Sequence, residues 1–174
     1  MPKHWLASQV AALKETTTYS KVTLDDPRLS SRKGSYVLII ELDAEKRIHV
    51  GSLGVIPFPK AYYAYLGSAL GGFKSRVNRH LIKGKKQRWH IDYLSSEAKI
   101  LEVILCEAAG RLECLLSRAL VTDFRFVPGF GSSDCRCQSH LCFSTDKASL
   151  ERGVRKAMTQ LALPRESVIE LSGS

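Results

Sequence analysis

The longest apolar run in the chain is Tyr36-Val37-Leu38-Ile39-Ile40, and its length constrains the fold more than any other feature. It is far shorter than the roughly 20 residues a bilayer-crossing helix needs. It is apolar on both alternating faces until Glu41, the pattern of a strand covered on both sides. Such a strand needs partners and a helical layer above and below it. Ala61 to Leu66, rich in aromatics, reads as a second strand. Ile100 to Cys106 reads as another, and Leu141-Cys142-Phe143 as a short final one. Asp43-Ala44-Glu45-Lys46 is a polar turn before Ile48 to Val50, a spacing that predicts a hairpin.

The covering helices are visible in the four-residue recurrences. Phe73, Val77 and Leu81 predict an amphipathic helix over 73–82, closed by Gly84. Leu112, Leu115, Leu116, Ala119 and Leu120 predict a second. A last helix is expected from Asp146 to Leu163, opened by Thr145 or Asp146 and closed by Pro164. Trp5, Val10 and Leu13 could line one face of a short helix near the N-terminus. The chain divides into a helical arm (1–33), one domain (34–163) and a tail (164–174), with 165–174 read as mobile. Strands and helices alternating around one core predict an α/β (α+β) domain, a small mixed sheet flanked by helices.

Charge enters when partners are considered. Lys and Arg number 26 against 17 Asp and Glu, a net charge of +9, which favours a polyanion such as nucleic acid. An anionic membrane surface would call for a basic amphipathic helix with exposed aromatics or a lipidation signal. Neither stands out, so no membrane partner is expected. The start, Met1-Pro2-Lys3-His4-Trp5, lacks the apolar core of a secretory signal. The five cysteines, Cys106, Cys114, Cys135, Cys137 and Cys142, form a poor disulfide framework. Both features predict a cytoplasmic chain with reduced thiols.

Four local features carry candidate chemistry. Gly34-Ser35-Tyr36 opens the first buried strand, and Tyr65-Leu66-Gly67 ends a later one. Arg76 and His80 lie one turn apart on the helix that follows, and Glu113 lies on a later helix. Phosphodiester cleavage needs a deprotonated water, a cation at the phosphate and leaving oxygen, and fixed positive charge facing phosphorus. Tyr can act as base only if cations lower its value from about 10, which Arg76 and a metal ion could do. Arg76 and His80 share a helix face and can reach one phosphate. Glu113 is a hard oxygen ligand suited to Mg²⁺ or Mn²⁺.

Gly34-x-Tyr36, Tyr65-Leu66-Gly67, Arg76 with His80, and Glu113, in that order, resemble the motifs of the GIY-YIG endonuclease superfamily. The resemblance implies a GIY-YIG nuclease-like fold with Tyr36 and Tyr65 as active-site tyrosines, Arg76 facing the phosphate and Glu113 holding the metal. It implies a divalent-metal-dependent DNA endonuclease linked to DNA repair, with a repair protein as a further partner and RNA still open as substrate. Trp89-His90-Ile91-Asp92-Tyr93-Leu94 and Gly131-Ser132-Ser133-Asp134-Cys135-x-Cys137-x-Ser139-His140-Leu141 resemble a narrower prokaryotic branch. That branch is labelled a domain of unknown function and is sometimes joined to a base-excision glycosylase. Two departures stand out. Ser35 replaces the central isoleucine of the first motif. Tyr65 follows Tyr36 by 29 positions (65 − 36), so residues 47–60 look like an inserted hairpin. The alternative is a non-cleaving nucleic-acid-binding module of the same fold, or a basic interaction protein with a structural zinc site.

On residue type alone, Tyr36 and Tyr65 read as strand aromatics, with Tyr62 and Tyr63 as neighbours of the same kind. Arg76 reads as a surface ion-pair residue, His80 as a half-core histidine and Glu113 as a solvated or ion-paired helix residue. Lys74, Arg79, Lys83, Lys85, Lys86 and Arg88, with Trp89 and His90, are candidates for tracking phosphates and stacking bases. The bland reading of that stretch is a solvated loop, with Asp92 capping or pairing a neighbouring base. Cys135, Cys137, His140 and Cys142 are zinc-type donors, with Cys114 a further ligand in space, but their spacing is not the usual one for zinc. Reduced buried cysteines are the more frequent state.

Overall fold

The computed structural model describes residues 20–161 and 166–171. The helix expected around Trp5, Val10 and Leu13 lies outside them. Among the described residues nine strands form in chain order: β1 (Ser20–Lys21), β2 (Gly34–Leu42), β3 (Lys46–His49), β4 (Val55–Phe58), β5 (Ala61–Ala69), β6 (Lys99–Glu107), β7 (Arg125–Phe126), β8 (Leu141–Ser144) and β9 (Glu166–Glu170). Among the described residues four α-helices accompany them: α1 (Phe73–Leu81), α2 (His90–Glu97), α3 (Glu113–Asp123) and α4 (Lys147–Gln160). Seven strands make one sheet in the order β1-β9-β6-β2-β5-β8-β7. The β1–β9 pair is parallel and the rest are antiparallel. This is the small mixed sheet flanked by helices that the patterning predicts.

The apolar run sits at the centre. In β2 every residue but Glu41 is buried, because β5 and β6 pair with it on both sides and helices cover both faces. Alternation splits its side chains. Tyr36, Leu38, Ile40 and Leu42 point to the first face, against Phe73 and Val77 of α1 and Ile91 and Leu94 of α2. Val37 and Ile39 point to the second face, against Leu116 and Leu120 of α3 and Leu150, Val154 and Met158 of α4.

Two expectations need correction. Ile48–Val50 does not fold back as a hairpin on β2, because both of that strand's ladders are taken by nine-residue partners. Instead β3 pairs with β4 as a separate two-stranded sheet, the inserted hairpin. Ile48, Val50 and Phe58 anchor it in the first-face core, and Lys46 ties it to Glu97 of α2 at 3.0 Å. The C-terminal residues read as a tail contain β9, which lies between β6 and β1. Its Ser167, Val168 and Ile169 are buried, and that burial offsets the cost of ordering them.

No helix among the described residues is long and apolar enough to cross a membrane. None of the five cysteines forms a disulfide among the described residues.

Candidate active site

Two glycines shape the end of the sheet where the candidate residues gather. Gly34 has φ +153°, and a Cβ there would fall 2.0 Å from the Cys106 carbonyl oxygen. Gly67 lies opposite Tyr36 in the β2–β5 register. A Cβ at Gly67 would stand 2.3 Å from Tyr36 Cζ and Oη, so the absent side chain is the space the tyrosine occupies.

Tyr36, Tyr65 and His80 pack together on the first face. The Tyr36 hydroxyl and His80 Nε2 are hydrogen-bonded at 2.7 Å, both buried. The Tyr36 and Tyr65 rings are 6.5 Å apart, and His80 lies 5.4 Å from one and 6.4 Å from the other. Burial pushes His80 down to about 3, helped by Lys85, Arg76 and Arg79 against Asp92, so the imidazole is neutral. Its Nδ1 is buried without a hydrogen-bond partner. Burial also raises both tyrosines above their ordinary value, and the smaller lowering by Arg76 does not offset it. The expectation that cations would lower these hydroxyls is therefore not met by Arg76 acting alone.

Glu113 reaches the same strand end from the other side. It opens α3, is 5 % exposed, and its Oε2 accepts from Ser35 Oγ at 2.8 Å. Ser35 Oγ in turn accepts from the Leu112 backbone N–H at 2.9 Å. Alternation sends Ser35 to the face opposite Tyr36, so Glu113 and the tyrosines meet around the sheet end rather than on one face. Glu113 lies close enough to raise both tyrosines electrostatically. Ser35, legible in the sequence only as a departure from an isoleucine, is the residue that holds Glu113.

The basic stretch divides in two. Arg76 and Arg79 both lie 4.4 Å from the centroid of the half-exposed Trp89 ring, so that indole already engages cations. Arg79 is also bonded to Asp92 at 2.6 Å, whereas Arg76 makes no ion pair among the described residues. Asp92 is fully buried in its side chain. It accepts from the backbone N–H of Arg88 and Trp89 at 2.9 and 3.1 Å, capping α2. Burial opposes its charge; the two N–H groups, Lys85 and Arg79 prevail and hold the carboxyl below its usual value. Lys85 lies 3.4 Å from Asp92 and donates to the carbonyls of Arg79 and His80 at the end of α1. It is a helix-end cap rather than a solvated cation. His90 Nδ1 accepts from the Gly131 N–H at 2.9 Å. Lys83, Lys86 and Arg88 are exposed, and Lys74 is half-buried.

Tyr63 donates to the Pro59 carbonyl at 2.6 Å and packs on Phe58 and Phe143, away from the site. A groove of about 430 Å³ between the inserted hairpin and α2 also lies apart from it.

The cysteines regroup. Cys114, Cys135, Cys137 and His140 form a cluster whose donor atoms all lie within 4.8 Å of one another, a set that could hold a metal ion. Burial and the neighbouring thiols push Cys114 up to about 12, so without a cation it is a protonated thiol. Cys142 is not in the set. It alternates away from Leu141 into the second-face core, its Sγ 3.8 Å from the Ala64 carbonyl. Cys114, from a helix 21 positions before Cys135 (135 − 114), takes its place.

No curated protein and no solved structure matches the chain. A family model, "Domain of unknown function DUF123", matches residues 35–163. That span runs from the serine that holds Glu113, through the tyrosines, the α1 arginines and the cysteine cluster, to beyond the end of α4, and the chain belongs to this family.

Proposed function

We propose that this chain is a divalent-metal-dependent endonuclease of GIY-YIG type that cleaves DNA, in a repair setting. The observation that carries the reading is the gathering around one sheet end of four things: the Tyr36–His80 pair, Tyr65, an arginine with no carboxylate partner among the described residues, and a carboxylate oriented by Ser35. An arginine left free of carboxylates beside buried hydroxyls suits a phosphate.

In this reading Arg76 binds the scissile phosphate and faces the charge that develops at phosphorus. The attacking water gives its proton to the Tyr36 oxygen as the Tyr36 proton passes to His80 Nε2. This relay spares Tyr36 from ionising, which its burial opposes. Burial, Lys85, Arg76 and Arg79 oppose the charge formed on His80, so the relay requires the negative charge of a phosphate bound at Arg76. Tyr65 orients the water. Glu113 suits a hard divalent ion such as Mg²⁺ or Mn²⁺, which commonly takes one or two carboxylates, substrate phosphates and waters. One of its oxygens is already directed by Ser35. A bound ion supplies positive charge at the leaving oxygen.

The raised tyrosines also favour a second reading, a nucleic-acid-binding module that does not cut. Incubating the wild type with branched, nicked, single-stranded and duplex DNA in Mg²⁺ or Mn²⁺ separates the two. Cleavage abolished by Glu113→Gln, with binding retained, supports the enzyme. A wild type that binds and cuts none of these substrates supports the module.

A further inference from the structure

Four soft donors from separate parts of the chain meet beside the first turn of α3. Cys114 lies on that turn, Cys135 and Cys137 lie in the connection between β7 and β8, and His140 directly precedes β8. His140 Nε2 stands 3.7 Å from Cys114 Sγ and 3.5 Å from Cys135 Sγ. A tetrahedral zinc ion with Zn–S of about 2.3 Å and Zn–N of about 2.0–2.1 Å separates sulfur from nitrogen by about 3.6 Å. Both distances therefore match edges of a zinc tetrahedron. The 4.8 Å limit on all donor separations leaves room for one ion.

The remaining cysteines supply a contrast. Cys106 and Cys142 are fully buried in the apolar core, where a reduced cysteine packs as a small apolar residue. The three in the cluster are half-buried and are gathered around an imidazole. Packing alone gives no reason for that arrangement.

The backbone bearing these donors is tied down before any ion arrives. His140 donates its N–H to the Phe130 carbonyl at 2.7 Å and accepts from Leu66 of β5 at 2.9 Å. Gly129 donates to Gln138 at 2.8 Å, closing the connection on itself. Ser117 of α3 donates to the Ser139 carbonyl. The Cys135 N–H turns back to Ser132 at 3.3 Å.

We propose that Cys114, Cys135, Cys137 and His140 bind one zinc ion in a structural site that staples the β7–β8 connection to the first turn of α3. Four protein ligands fill the tetrahedron and leave no position for a substrate. Thiolates and imidazole select zinc over the hard ions suited to Glu113. On loading, the three thiols release three protons and the neutral imidazole binds through Nε2. Two positive charges against three thiolates leave the cage with one net negative charge. The exposed Arg136 lies between two of its cysteines. The site does not depend on the nuclease reading. Its mechanical effect does reach that region, because Cys114 follows Glu113, and Gly131 of the stapled connection lies so near Tyr65 that a Cβ there would stand 3.0 Å from the ring.

The test uses the full chain purified from zinc-supplemented cells. Total metal analysis should return one zinc per chain, and loading the stripped protein should release three protons per zinc. Cobalt put in zinc's place should give the intense visible bands of tetrahedral coordination and a near-ultraviolet thiolate charge-transfer band. Cys135→Ser with Cys137→Ser should remove the metal, and Cys142→Ala should keep it. If the double variant fails to fold, the wild-type cobalt spectrum and proton count still decide. A chain that carries no zinc and takes up cobalt without thiolate bands overturns the site, as does full zinc retention by a folded double variant.

Discussion

Arg76 and Arg79 lie three positions apart on one helix and touch the same indole at the same distance, yet they belong to different regions. Arg79, with Lys85 and the α2 N-terminus, closes on Asp92, and every charge there has a partner. Arg76 lies close enough to Tyr36, Tyr65 and His80 to act on their charges, and among the described residues its guanidinium has no carboxylate partner and His80 Nδ1 no hydrogen bond. The closed region pairs its charges within the chain and stabilises the fold, although Arg79 Nε and Asp92 Oδ1 make no hydrogen bond among the described residues. The open region leaves polar groups that a ligand can satisfy. Sequence proximity and residue type do not separate the two; the position of one carboxylate does.

The largest effect should come from breaking the closed region. Asp92→Ala leaves Arg79 and Lys85 without their buried counter-charge and removes the α2 cap, and should cost about 3–5 kcal/mol of stability in denaturant unfolding. Arg76→Ala should cost less than about 1 kcal/mol, the scale of its stacking on Trp89. Equal losses would erase the distinction between the regions.

The second effect concerns rate. If the open region is the nuclease site, Arg76→Ala should slow single-turnover DNA cleavage by about 10²–10³-fold, roughly 2.7–4 kcal/mol in the barrier, in a normally folded protein. Undiminished cutting would move the chemistry elsewhere.

Acid provides the third. The folded chain holds His80 at about 3 against the ordinary 6.5, so between these values the unfolded state binds one more proton. His80's contribution is fully present above about pH 6.5. It is lost as pH falls toward 3, by about 1.4 kcal/mol per pH unit. Unfolding free energies of the wild type and His80→Gln from denaturant titrations across that window should converge by this slope. Parallel curves would mean that the ring is charged in the folded state.

The smallest effect is on binding. Changing the exposed Lys83, Lys86 and Arg88 to Ala should flatten the salt dependence of DNA binding, with stability unchanged. The log–log slope should fall by up to about 0.9 for each phosphate that is no longer neutralised. An unaltered slope would put the phosphate-tracking surface on another part of the molecule.

The elements with their own periodicity are legible in the sequence: β2 from its unbroken apolar run, α1 from Phe73, Val77 and Leu81. β9 is not, because Val168 and Ile169 are too few to show a period and owe their burial to β6, far earlier in the chain. Lys85 reads as one solvated cation in a basic run. Only the fold brings Asp92 back beneath it. Spacing along an extended chain groups Cys142 with Cys135 and Cys137, but the connection turns before β8 begins and alternation then carries Cys142 into the core. Ser35 carries no signal of its own, since its partner Glu113 lies 78 positions away.

The placement of β9 has a consequence for handling the protein. It is an interior strand, and a chain cut after Gln160 would leave the inner ladder of β6 as a bare edge, with β1 deprived of the strand it pairs with. Unpaired edges of apolar strands recruit other chains. A shortened version should therefore tend toward edge-to-edge aggregation even with its catalytic candidates intact. A fusion or affinity handle is better joined beyond Leu171, where the sheet has already been completed.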